Sequence, residues 1–199
     1  MRGTSHILIG IAIGSVLANH TGAPLVGIGA CAFGALTPDI DMPGSTLGRW
    51  VPWPSVHGPT NGRGFTPKGR RGLRGPIWHR GQLHSVGFVL LLTILLTLAY
   101  RAVAHAVPVP GILETKYLLL FAVALGVGGL SHLVVDSINI SPMMAAWPIS
   151  HKMMTLPIPH APQNSLRGRA YELFVVAVVL AVAFWLIGGA TGLSQMLLP

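Results

Sequence analysis

The stretch His79-Arg80-Gly81-Gln82-Leu83-His84-Ser85 runs without a break into the apolar segment Val86–Ala106. Twenty-one residues without an acid, led in by a serine that can cap a helix, read as a membrane-spanning helix. Two imidazoles and a guanidinium therefore stand where a polar loop meets lipid. Imidazole is a metal ligand and guanidinium an anion binder, so this edge has water on one side and acyl chains on the other.

The rest of the composition agrees with a membrane protein. Of 199 residues, 51% are hydrophobic and 9% charged, whereas about a quarter are charged in soluble domains. Further apolar runs cover 7–18, 24–36, 117–135 and 171–187. The fold expected is an all-α integral membrane bundle of about five helices, forming a single domain with a basic Gly/Pro-rich loop at 43–78. The first two runs are shorter than the roughly 20 residues a bilayer needs, which leaves tilted or re-entrant helices open. The first also has the form of a signal peptide. Gly10 and Gly14, spaced for close helix packing, favour instead a hairpin of the first two helices. Cys31 lies in a Gly/Ala-rich apolar run and reads as packing; a lone cysteine cannot form an internal disulfide.

A net charge of +8 would suggest nucleic acid in a soluble chain, but beside membrane helices it follows the positive-inside rule. With the N-terminus and the loops 38–85 and 137–170 on the cytoplasmic side, all cations except Arg101 and Lys116 fall there. Trp50 and Trp53 read as interfacial anchors, and the segment 58–74 as a poorly packed stretch of loop.

This topology brings the scarce polar residues to one membrane level. His6 stands just before helix 1, Asp39 and Asp41 follow helix 2, His79 and His84 precede helix 3, and His132 and Asp136 end helix 4. His132 and Asp136, four apart, share a helix face. Asp39 and Asp41, two apart after Pro38 and read as an extended turn, point to one side. Four imidazoles and three carboxylates exceed what one tetrahedral ion takes. One or two divalent ions (Zn, Mn or Mg) are expected, suited to clamping the attacking and leaving oxygens of a phosphoester. Arg80 would stabilise an anionic oxygen, and Asp41 joins it as an expected catalytic residue. His20, His57, His105, His151 and His160 are left outside the site, and Glu172 is not assigned to it.

At these residues the chain resembles the YdjM-like, or LexA-binding, family of metal-dependent hydrolases of the bacterial inner membrane. The family's Pro-Asp-Ile-Asp matches Pro38 to Asp41, its His-Arg-Gly-x-Thr-His-Ser matches His79 to Ser85, and its Ser-His-x-x-x-Asp matches Ser131 to Asp136. Trp147-Pro148-Ile149-Ser150 is similar to a fourth motif, and Glu172 falls near a family glutamate. Leu83 stands where the family has threonine, and Ser5 separates Thr4 from His6 where the family has a Thr-His pair. The resemblance implies a membrane-bound hydrolase. The LexA name refers to repressor control of expression, so it implies no DNA binding by the chain.

The expected activity is hydrolysis of an amphiphilic or phosphorylated, lipid-like substrate at the cytoplasmic face, with membrane lipids as the surrounding partner and no specific nucleic acid. Two other classes compete. A carrier would need an acidic path through the helices, and no apolar run has an acid at its middle. A structural protein whose basic loop recruits lipid or nucleic acid would depend on 58–74 and not on the ligand residues.

Overall fold

The computed structural model describes residues 3–19, 21–41, 45–50, 82–107, 109–110, 112–137, 143–150, 152 and 166–197. Five α-helices appear in the expected order: α1 (Gly3–Ala18), α2 (Pro24–Gly34), α3 (Val86–Ala106), α4 (Leu118–Ser137) and α5 (Leu166–Leu197). No strand occurs among the described residues, and an isolated β-bridge joins Val109 and Leu113 in the turn before α4. Three segments, Val86–Ala106, Thr115–Ser137 and Gly168–Gly188, are long and apolar enough to cross a membrane, while α1 and α2 are shorter.

Helix α3 begins where the sequence places it. Ser85 is extended (φ −135°, ψ 155°) and its hydroxyl accepts the Phe88 N–H, which satisfies one of the donors a helix start leaves open. Helix α5 starts five residues earlier than 171 and runs ten past 187. Membrane length marks the apolar part of a helix, and the polar residues at each end continue the same hydrogen-bond ladder. The segment 58–74, with Trp53, His57 and the histidines at 20, 151 and 160, lies outside the described residues.

The α1–α2 hairpin closes through Thr21, whose N–H and hydroxyl both donate to Ala18 O, and through Gly22 at φ +68°, where a side chain would be strained. Pro24 occupies the first turn of α2, where its missing N–H costs nothing. Gly10 and Gly14 then set α1 directly against α2: a Cβ on Gly14 would lie 2.7 Å from Gly27 O and one on Gly10 2.8 Å from Ala32 Cα.

Helix α4 is the hub, packed against α1, α2 and α3. Its contact with α2 is made by backbone. A Cβ on Gly128 would fall 2.1 Å from Cys31 O, and one on Gly34 2.2 Å from Leu125 O. In a bilayer there is little hydrophobic gain in joining helices, so such close approach is itself the source of association. Cys31, Ala124 and Leu125 fill the core beside it, in line with the packing role read for the cysteine. On another side of α4, Val89 of α3 covers Gly129 and clusters with Leu133 and Met143. Helix α5 docks through Val176 on Ile9 and Val135.

Gly128→Ala should therefore destabilise the bundle by about 2 kcal/mol or more, as overpacking does, whereas Gly29→Ala, with nothing within 4 Å of the added carbon, should be neutral or slightly stabilising. Thermal unfolding of the detergent-solubilised protein, followed by circular dichroism, checks both.

Candidate metal centre

The described residues of the expected ligand set lie at one end of the bundle. His6 is in the first turns of α1 rather than before it, Asp39 follows α2, His84 precedes the α3 cap and His132 and Asp136 close α4. Asp39, His84, His132 and Asp136 each offer one ligand atom, and these four atoms all lie within 4.8 Å of one another. The imidazoles of His84 and His132, and that of the neighbouring His6, are fully buried. Asp39 carries the exposed edge of the group, with 12% of its side chain accessible against 4% for Asp136.

The separations are informative. His84 Nε2 stands 3.3 Å from Asp39 Oδ1 and 3.9 Å from Asp136 Oδ2, and His132 Nε2 stands 3.6 and 3.8 Å from the same two atoms. These distances are long for direct hydrogen bonds. The shortest equals the edge of a coordination tetrahedron, about 3.3 Å when each ligand lies 2.0–2.1 Å from a zinc-sized ion, and the others are a few tenths of an ångström longer.

His132 also has its tautomer constrained. Its Nδ1 lies 2.7 Å from the carbonyl oxygen of Ala35, and a carbonyl only accepts, so Nδ1 carries the proton. In the neutral ring Nε2 then presents a lone pair toward two carboxylate oxygens, an arrangement that a cation between them makes favourable. A ligand histidine held from behind by a backbone carbonyl is the usual supporting arrangement of metal sites.

His84 is held by an ordered helix start. The four N–H groups that open α3 all have acceptors: Val86 N donates to Ala145 O, Gly87 N to Trp147 O, Phe88 N to Ser85 Oγ and Val89 N to Ser85 O. Ser85 in turn donates to Gln82 O. Residues 143–150 thus strap the end of α3, and Gly87 permits it, since a Cβ there would lie 2.5 Å from Trp147 O. The Trp147–Ser150 motif has a structural purpose that spacing alone does not reveal.

His6 lies beside the group of four. Its Nε2 stands 3.4 Å from Asp136 Oδ1, whereas His84 and His132 pair with the other oxygen, Oδ2. Its ring stacks on that of His132 with centroids 3.8 Å apart and planes 18° from parallel. Ser5 donates its hydroxyl to Glu172 of α5, and both are buried. Residue spacing does not foretell this contact, because a single glutamate has no partner period; the one signal in the sequence is the likeness of Glu172 to a family glutamate.

Thr37–Asp41 is a 3-10 helix and not an extended turn. The period of two that would put Asp39 and Asp41 on one side belongs to a strand-like backbone, which this segment does not have. The Asp41 side chain, His79 and Arg80 lie outside the described residues. His105, Arg101 and Lys116 are exposed at the opposite end, where Lys116 pairs with Glu114 at 2.8 Å.

Burial raises the Asp39 carboxyl, but contact with His84 and the neighbouring His132 imidazole outweigh it and hold it at about 2, against an ordinary 3.8. A carboxyl whose folded value is depressed contributes stability above its unfolded value and loses it as pH falls through the folded one. Metal-free protein should accordingly lose on the order of 2 kcal/mol from this group between pH 3.8 and about 2. Asp39→Asn should lack that part of the acid dependence, which unfolding curves across this range would show.

No curated protein and no solved structure matches the chain. A family model described as YdjM inner membrane protein matches residues 1–193. That span contains every residue of the polar cluster, and the apolar helices around it accord with the description. The chain belongs to the YdjM inner membrane protein family.

Proposed function

We propose that this protein is a membrane-bound metal-dependent hydrolase acting at the cytoplasmic face of the inner membrane on a phosphoester or other lipid-like substrate. The observation that carries the reading is the convergence of Asp39, His84, His132 and Asp136 at metal-ligand separations, at one end of helices long enough to span a bilayer. Mixed imidazole and carboxylate ligands suit Zn²⁺ or Mn²⁺. The distribution of cations between the loops supports the cytoplasmic placement.

Asp39, His84, His132 and Asp136 hold the ion, and Ala35 O and Ser85 keep His132 and α3 in place for it. When bound, a divalent ion supplies Lewis-acid charge that polarises a phosphoryl or acyl oxygen and acidifies water. Arg80, in the motif that leads into α3, binds the anionic oxygen of the substrate. Asp41 is kept as a catalytic residue on its position in the motif alone. Substrate reaches the centre from the side of Asp39, the ligand with an accessible edge.

The purified protein should contain a tightly held divalent metal and hydrolyse at least one member of a panel of amphiphilic phosphoesters and lipids. Asp39→Ala and His132→Ala should each lose the metal and lower activity by about 100-fold or more, beyond what loss of a supporting residue does. Deleting 58–74 should leave metal content unchanged. Metal content unaffected by the ligand variants, with function abolished by the deletion, would instead support a basic-loop recruiter.

A further inference from the structure

Asp136 addresses two different groups with its two oxygens. Oδ2 faces His84 and His132, while Oδ1 faces His6 Nε2 at 3.4 Å. His6 is 1% exposed, and neither of its ring nitrogens has a hydrogen-bond partner. A buried imidazole without such a partner is costly and calls for an explanation.

The stacking of His6 on His132 limits what that explanation can be. An imidazole lone pair lies in the plane of its ring. Two rings 3.8 Å apart and within 18° of parallel keep their in-plane lone pairs in separate layers, so the pairs do not meet. An ion shared by both would sit roughly half the stacking distance out of each plane, poor geometry for nitrogen ligation at 2.0–2.1 Å. Ions lying in each plane would instead be separated by at least the spacing of the two rings, which is compatible with the roughly 3.5–4 Å of two-metal hydrolytic sites.

We infer that the centre is binuclear and that Asp136 is its bridging carboxylate. The first ion takes Asp39, His84, His132 and Asp136 Oδ2, and the second takes His6 Nε2 and Asp136 Oδ1. The second position lies on the α1 side, where Ser5 and the buried Glu172 join α1 to α5. A merely structural cluster would leave His6 paired with Asp136 alone, with no second ion between them.

This inference rests on the metal-centre reading, and the test separates the two. The full-length protein is purified in detergent, loaded with Mn²⁺ and desalted; manganese is counted by mass spectrometry and its spin coupling read by electron paramagnetic resonance. Wild type should hold two ions per chain with an exchange-coupled spectrum, and His6→Ala should hold one with the coupling gone. One ion in both proteins, or two without coupling, overturns the bridge while leaving a metal centre. Coupling that persists in His6→Ala removes His6 as the second ligand and overturns the assignment. Absence of tight metal from wild type overturns both readings. Should His6→Ala fail to fold, the wild-type count and coupling decide.

Discussion

The hydrogen bond from His132 Nδ1 to the carbonyl of Ala35, 2.7 Å long, ties the chemistry of α4 to the packing of α2. It exists because α2 ends at Gly34, where the helix leaves terminal carbonyls free to accept from elsewhere. It also requires α2 and α4 to run almost in backbone contact, which Gly34 and Gly128 allow. A side chain at either glycine would push the two helices apart. The loss would reach beyond packing: His132 would be freed to turn, and Asp39, carried just beyond the same end of α2, would move away from it.

Around that link the structure concentrates ionisable groups where water is scarce. Two carboxylates and three imidazoles lie within a few ångströms of one another and largely out of solvent. Burying charge in this way is unfavourable by several kcal/mol per group unless opposite charge is near. Protons on the imidazoles are one way to supply it and divalent ions another. The orientation of the donors bears on the choice. His132 is held in the tautomer that leaves Nε2 to face the carboxylates, and the separations among the ligand atoms exceed those of ordinary hydrogen bonds.

The supports differ in kind from the ligands they hold. His84 is fixed through the start of α3, whose open N–H groups are met by Ser85 and by two carbonyls of the 143–150 segment. His6 is fixed by its stack on His132 and by the docking of α1 on α2 through Gly10 and Gly14. Asp136 needs no separate device, because it shares the face of α4 that already presents His132. Backbone groups and small residues therefore perform most of the positioning, which fits a chain with few polar side chains to spare.

Much of this was legible in the amino-acid order. The start of α3 can be assigned to the residue, because Ser85 caps an uninterrupted apolar run. The pairing of His132 with Asp136 follows from helical period alone, and Gly10 and Gly14 signal the α1–α2 contact. The common level of His6, Asp39, His84, His132 and Asp136 follows from alternation of spans and loops, since each lies at the same end of its helix. Tertiary structure decided the rest. It set 37–41 as a 3-10 helix, drew Ser5 and Glu172 together across 167 residues of chain, and used Ala35 O and 143–150 as supports. Those outcomes rest on backbone carbonyls, common to all residues, and on contacts between helices distant in sequence. Neither has a period or a composition, so only the packed bundle reveals them.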